Sequence, residues 1–382
     1  LSAACQTGGH AHAFLVSICV GAVLTAKVTV FYPAAIFIFE VIMSVQIASS
    51  FENLLNQQTD ETWDQIIKTL LPAIHEVDKT ATQIWFHFYP VSLLTALQQS
   101  EDPEKLAAQL LLQGNYYLKD QIDSSHAFLY GHRFWPELKR IVMERAASFN
   151  ESQSNSGLAT EIRDLAKRAA SEVKTEESLL VGITAVALMT LQQVGIEAFR
   201  ATSGVVGAKV KTKASRKSPE QILKERARDD GQGLFGFLKT IDKEWTVTYD
   251  EQDERGHYRM KHMADLAYGA ALDQSRDWKA NDPRCIEGPI PVECRSASCG
   301  TCWVGVLGGA EKLSDVARLE GKRIKEFGYI VTDEPKPLIR LACQAQASGA
   351  VSIVIPPWNG VFGKFLRAQE ANAETEEQGI SS

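Results

Sequence analysis

Four cysteines are spaced so that their sulfurs can meet on one metal centre: Cys294, Cys299 and Cys302 in a short loop, and Cys343 much further along. The first three read C-x4-C-x2-C. With a distant fourth, this is the spacing that supplies a [2Fe–2S] cluster with four thiolates. Two irons bridged by two sulfides each need two more ligands, so four soft sulfurs must converge on one small thiophilic centre. Apart from Arg295, the residues between the loop cysteines are Ser, Ala, Ser, Gly and Thr. Such small side chains let the backbone wrap closely and aim N–H groups at the sulfurs, which stabilises thiolates and raises a reduction potential. Four cysteines could instead hold structural zinc, but zinc sites usually pair two C-x2-C knuckles, and only one stands here. As an inert core segment, a Gly/Ser-rich loop with three cysteines in nine residues would be poor.

The loop runs into Trp303-Val-Gly-Val, and the fourth cysteine sits in Arg340-Leu-Ala-Cys343-Gln-Ala. With these flanks, residues 245–356 resemble the [2Fe–2S] ferredoxins of the β-grasp fold. The resemblance implies that Cys294 and Cys299 hold the iron nearer the surface, and Cys302 and Cys343 the inner one. It also implies a one-electron carrier working between a reductase and an acceptor oxidoreductase. Two departures stand out. Ala297 occupies a position where plant-type members usually carry Gly, and the gap from Cys302 to Cys343 is longer than theirs. Within that gap, residues 314–327 resemble the charged helix with which adrenodoxin-type members dock partners. Arg295 and this helix are therefore the candidate partner surface. Cys285, outside the tight loop, reads as a bystander.

A chain of 382 residues with 45% hydrophobic and 23% charged residues is ordinary for soluble globular domains and long enough for two. Its net charge of −7 does not suggest a nucleic-acid role. Seven cysteines are too few for a disulfide scaffold, and thiolates kept for a cluster fit a reducing compartment, so the expected location is cytoplasmic. No flavin or nicotinamide fingerprint, P-loop or hydrolase nucleophile motif is present, so the expectation is an electron carrier rather than an enzyme.

The elements that must position the cysteines divide the chain. Residues 1–42 contain no Met, Asp, Arg or Asn, and residues 13–42 are nearly all apolar, interrupted by Lys27, Pro33 and Glu40. This segment reads either as upstream sequence translated in frame, with Met43 as the start, or as a membrane anchor, or as a buried segment. A membrane attachment follows only if residues 13–42 are genuine. Residues 43–206 carry helical periodicity: Trp63, Ile66, Ile67, Leu70 and Leu71 on one stripe, then Ile74, Val77, Ala81, Ile84 and Phe88 on a second. Asp102-Pro103 starts a helix. Further amphipathic runs cover 116–129, 136–149 and 158–173, with a polar connector at 150–157. Residues 179–191 are apolar on every side and too short to span a membrane comfortably, which marks a central buried helix.

Residues 207–240 read as a basic linker around Lys209, Lys211, Lys213, Arg216 and Lys217, with Ser218-Pro219 capping a short helix. Residues 241–360 form the ferredoxin-like domain, with strands expected at 245–249, 257–260, 303–307 and 351–355 and a helix at 263–272. Residues 361–382 are an acidic tail, expected to be flexible. The expected class is thus α+β: an all-α helical N-terminal domain followed by a β-grasp domain.

Four histidines, His75, His87, His126 and His132, fall in the helical half. His87 lies about 120° around the helix from His75, without the i, i+3 or i+4 spacing of paired ligands. The stretch from Asp123 to Pro136, with His126, His132 and several aromatics, is more suggestive of a site. An alternative reading therefore makes the helical domain bind a second metal or haem. Core histidines satisfied by hydrogen bonds are the commoner outcome.

Overall fold

The structure is a computed structural model, and it describes residues 50–88, 118–149, 157–204, 217–230, 243–281, 285–298, 301–326 and 336–355. The apolar segment 1–42, the helix start at Asp102-Pro103, Lys209 to Arg216, Cys299 and the acidic tail lie outside the described residues, as does nearly all of the polar connector.

Caps and apolar stripes decide where the first helices run. Helices α1 (Ser50–Asn56) and α2 (Asp60–Leu70) are separated at Thr59, whose hydroxyl accepts the Thr62 N–H at 3.3 Å and caps α2. A single 3-10 turn, Leu71–Ala73, with Pro72 at its centre, leads into α3 (Glu76–Phe88). The run expected as an amphipathic helix over 116–129 is different. Its described residues form a 3-10 turn, Leu118–Gln121, and then further turns up to another 3-10 segment, Tyr130–Phe134. Asp123, Ser124 and Ser125 compete with helical backbone bonding. The Asp123 carboxylate accepts hydrogen bonds from Trp135 Nε1 at 2.8 Å, Lys139 Nζ at 3.0 Å and the Gly204 N–H at 2.8 Å, so tertiary bonding outweighs local periodicity.

Helix α4 (Trp135–Ser148) carries Pro136 in its first turn, where the missing N–H costs nothing. Helix α5 (Leu158–Val173) ends at Lys174, whose left-handed φ of 56° closes the last turn. Both match the expected runs. The apolar stretch 179–191 is buried throughout as the core of α6 (Ser178–Ala201), against which the other helices pack. Among the described residues α6 is the one helix long and apolar enough to cross a membrane, and most of it is buried inside this protein. It breaks at Gly195, whose φ of 78° suits glycine, and the Ile196 N–H released there donates to the Glu52 carboxylate at 2.7 Å.

Helix α7 (Pro219–Ala227) opens with a full capping box, Ser218 and Gln221 each bonding the other's backbone N–H. Strands β1 (Glu244–Thr248) and β2 (His257–Lys261) form an antiparallel hairpin, followed by helices α8 (Leu266–Ala271) and α9 (Trp278–Asn281). Strand β3 (Trp303–Gly308), helix α10 (Arg318–Glu326), β4 (Ile339–Leu341) and β5 (Val351–Val354) complete the described elements. The sheet order is β2-β1-β5-β3-β4, with β1 and β5 parallel and the other pairs antiparallel. Helices with a mixed sheet make the class α+β.

The two halves share a core. Strands β1 and β2 alternate buried and exposed residues, but β5 is buried along its whole length and β3 nearly so. The second face of β3 is covered by α3: a Cβ on Gly305 would stand 2.7 Å from Ile84 Cγ2 and 2.8 Å from Val354 Cγ1. Helix α7, inside the segment expected as a linker, ties the same seam. Its buried Arg226 donates to the Val77 carbonyl of α3 at 2.8 Å and makes a fork to both oxygens of Glu251, at 2.8 and 2.9 Å. Glu251 also accepts the Ser352 hydroxyl of β5 at 2.6 Å. Close by, Asp78 of α3 is buried and accepts N–H bonds from Tyr130 at 2.5 Å and Gly131 at 2.7 Å.

Replacing Gly305 by Val puts a branched side chain where no space exists between Ile84 and Val354. The expected loss is about 1–3 kcal/mol in urea unfolding. A second expectation concerns pH. Burial raises the Asp78 carboxyl from 3.8 to about 6, against the opposing Gly131 and Tyr130 N–H bonds and the nearby Arg226 charge. The folded value lies above the unfolded one, so the native state holds the proton more tightly. Stability should therefore fall as pH rises from about 4 to 6, by up to about 3 kcal/mol. In Asp78→Asn this dependence should flatten, which urea midpoints measured across that range would reveal.

Candidate functional site

Cys302 precedes β3 and Cys343 follows β4. These strands pair antiparallel with Trp303 opposite Leu341, and the Ala342 N–H donates to the Cys302 carbonyl at 2.9 Å. The ladder thus sets two sulfur-bearing residues, distant in sequence, side by side. Both are buried, whereas Cys294 is half-exposed.

The sulfurs sit among donors. The Cys302 thiol donates to Cys343, and this bond lowers the Cys343 thiol to about 7 against the raising effect of burial. Gln344 Nε2 at 3.5 Å and the Ala297 N–H add to the lowering. Cys294 Sγ accepts N–H bonds from Ser296 at 3.4 Å and Ser298 at 3.3 Å. Because Ala297 reaches Cys343, the loop that carries Cys294 is folded over the fourth cysteine. This geometry needs left-handed backbone at Arg295 (φ 53°) and Ala297 (φ 60°). Ala297 therefore holds the conformation that glycine adopts freely, at a cost of about 1–2 kcal/mol for a residue with a Cβ.

The loop is braced from outside. Arg295 pairs with Glu287, and the Thr301 hydroxyl donates to Glu293 at 3.2 Å. Segment 285–290 lies on α8, where Gly288 leaves no room for a Cβ beside the Ala270 carbonyl. The buried Cys285 thiol in that segment donates to the Pro289 carbonyl at 3.3 Å.

A buried ion pair holds β4. Arg340 and Glu320 each have 0% side-chain exposure, and their fork measures 2.7 Å from Nε to Oε1 and 2.9 Å from Nη2 to Oε2. Arg340 also donates to the Ser314 carbonyl at 2.8 Å, and Glu320 accepts the Leu341 N–H at 2.9 Å. The helix expected over 314–327 accordingly starts later, at Arg318, because Ser314 is held extended by these bonds and by its N–H to Gln346 O at 2.8 Å. Glu320 is a supporting residue that sequence reasoning passed over. The signal was an arginine among Leu338, Ile339, Leu341 and Ala342, which must be buried and so must have a partner.

Among the described residues of the helical half, the histidines bring together one pair. His75 precedes α3 and His87 lies in its last turn, and His75 Nδ1 accepts the Val77 N–H at 3.2 Å. His126 and His132 do meet, Nδ1 to Nδ1 at 2.9 Å, with His126 Nε2 on the Ile122 carbonyl at 3.1 Å and its ring against Trp135. Both ring nitrogens of His126 are thereby engaged, and burial holds both histidines below their ordinary pKa, His132 at about 4. Among all the described residues, the cysteine region included, no group of three or more His, Cys, Asp and Glu side chains is placed to hold a metal ion.

With this geometry in hand, comparison with known families is direct. The family model of the 2Fe-2S iron–sulfur cluster binding domain matches residues 284–348. Residues 284–348, in the C-terminal part of the chain, are therefore a 2Fe–2S cluster-binding domain, and the cofactor that this domain binds is a [2Fe–2S] cluster. The match takes in the cysteine loop, β3, α10, β4 and Cys343, and leaves the β1–β2 hairpin outside it. No curated protein and no solved structure matches the chain. The residues present fit the cluster: three described cysteines lie in one neighbourhood, and N–H groups are aimed at the sulfurs of Cys294 and Cys343.

Arg340→Leu leaves the Glu320 carboxylate buried without its counter-charge. Unfolding should show a loss of about 3–5 kcal/mol, much of it recovered when Glu320→Met is added to the same chain.

Proposed function

We propose that the chain is a one-electron carrier whose [2Fe–2S] cluster is held by Cys294, Cys299, Cys302 and Cys343. The observation that carries this reading is the convergence of Cys302, Cys343 and the Cys294 loop within the stretch that matches the cluster-binding family. When bound, the cluster supplies a centre that takes up and releases a single electron. The protein's own residues prepare the place for it. The N–H groups of Ser296, Ala297 and Ser298 and the Gln344 amide stabilise negative charge on the sulfurs. Trp303, Leu341 and Ala342, all buried, keep water from the inner cysteines. The half-exposed Cys294 puts one edge of the site at the surface, where a redox protein can approach.

The sheet supports a β-grasp domain. An antiparallel hairpin leads into α8, and the first and last strands lie parallel at the centre of the sheet. We read the protein as a carrier between a reductase and an acceptor oxidoreductase rather than as an enzyme, with Arg295 and α10 on the partner face. Thiolates kept for a cluster favour a cytoplasmic setting. The helical half acts as a structural cover for the sheet, supported by the packing of Ile84 on Gly305 and by the Arg226 bonds.

Anaerobic purification followed by iron and sulfide analysis, visible absorption and EPR after dithionite reduction tests this. About two irons and two sulfides per chain and a rhombic signal, all lost in Cys343→Ser, are expected. Zinc without iron in the purified protein would overturn the carrier reading.

A further inference from the structure

Away from the cysteines, a cavity of about 420 Å³ lies between β2 and the chain that leaves α8. Its size falls within the roughly 300–1,000 Å³ of pockets that hold small ligands. The sheet order puts β2 at one edge and β4, which leads to Cys343, at the other. None of the residues lining the cavity belongs to the cysteine site.

One wall is the edge strand and its approach. Arg255, His257 and Arg259 are exposed and alternate with the buried Gly256 and Tyr258, and all three line the cavity. The facing wall adds Arg276 and the small polar Ser275. Three guanidiniums and an imidazole thus share the lining with one carboxylate, Asp273, which accepts the Ser275 N–H at 2.9 Å. Two of the arginines have carboxylate partners: Asp253 for Arg276 and Asp230 for Arg259. Both carboxylates line a neighbouring cavity and not this one. Positive charge is therefore gathered on one side of the hairpin, in a chain whose net charge is −7.

The cations differ in how firmly they are held. Arg276 donates to Asp253 at 3.3 Å and to the Arg255 carbonyl at 2.9 Å, and its guanidinium stands 5.1 Å from the centre of the Trp278 ring. A guanidinium fixed in this way loses little freedom when an anion arrives. Arg259 is committed to Thr246 and Asp230 and contributes charge alone. Arg255 is the opposite case. Among the described residues its guanidinium makes no hydrogen bond or ion pair, although its charge lowers the pKa of Asp253. Its donors are free for a ligand. Beside these groups Leu272, 55% exposed, offers an apolar surface.

Guanidinium forks match the paired oxygens of phosphates and carboxylates. Because the lining cations outnumber the one carboxylate by more than one charge, a dianion fits better than a monoanion. We propose that this cavity binds a phosphate monoester carried on an apolar body. The phosphate sits on Arg255, Arg276 and His257, and the body lies against Leu272. Small soluble esters and a lipid phosphate share this chemistry. The site is independent of the carrier reading, and the two stand or fall separately.

The test is isothermal titration calorimetry of the full chain with its cluster, against phenyl phosphate, inorganic phosphate and phenol. Phenyl phosphate should bind saturably with one site per chain, inorganic phosphate more weakly, and phenol not at all. Arg255→Ala removes no bond seen within the fold, so the urea midpoint should be unchanged. Its affinity for phenyl phosphate should fall by roughly 10-fold or more. Leu272→Ser should weaken phenyl phosphate and leave inorganic phosphate as it was.

Sedimentation with phosphatidic acid vesicles separates the two sources. Retention lost in Arg255→Ala would make the ligand a lipid phosphate, and phenyl phosphate binding without retention would make it a soluble ester. Phenyl phosphate that fails to saturate at millimolar concentration would overturn the proposal. So would an affinity that Arg255→Ala leaves intact, or phenol binding as well as its phosphate.

Discussion

A guanidinium with no exposed surface cannot stay charged without a partner, and Arg340 meets that demand with Glu320 on a separate helix. Much around the cysteine site follows from this requirement. Glu320 can reach Arg340 only if α10 lies along β4, and it then also satisfies the Leu341 N–H. Arg340 holds the Ser314 carbonyl and so keeps the approach to α10 extended. The strand thus held is the one that brings Cys343 beside Cys302. A buried pair of this kind is weak as a source of net stability. Its strength lies in specifying one arrangement, because every alternative leaves a charge stranded in the core.

A second constraint comes from the sheet. Strand β5 is buried along its whole length and β3 nearly so, which requires cover on both faces, whereas β1 and β2 need it on one. Helix α3 supplies the missing layer, and Gly305 lets it approach closely enough for Ile84 to fill the gap. Arg226 then stitches α3, α7 and the β1–β2 turn through the Val77 carbonyl and Glu251. The helical half is therefore part of the environment in which the cluster-binding segment folds.

Charge placement around the sulfurs follows one logic. Donors from the backbone of the cysteine loop favour thiolates, and two residues adopt left-handed backbone so that those donors point inward. The same backbone could be made more cheaply with glycine, so Ala297 shows that sulfur-directed hydrogen bonding and burial outweigh a local conformational cost.

Spacing and periodicity are local properties, and what depended on them was legible in the chain. The cysteine spacing pointed to the cluster. The 3.6-residue stripes marked α4 and α5, the all-round apolar run marked the centre of α6, alternation placed β1 and a turn its return β2, and short apolar runs placed β3 and β5 to within a residue or two. Contacts between distant segments were not legible. Residues 118–129 carry an amphipathic pattern yet form turns, because Asp123 is claimed by Trp135, Lys139 and Gly204. Arg226 looked like one more charge in a basic linker and is instead buried across a seam. Glu320 looked like a surface residue of a charged helix and is the counter-ion of Arg340. By itself the sequence determined which atoms could bind a cluster and where most helices and strands run, residues 118–129 apart, since neighbouring residues decide spacing and periodicity. Only the tertiary structure decided which charges are buried and which face outward, because the energy of a charge depends on the solvent and counter-ions that folding leaves beside it.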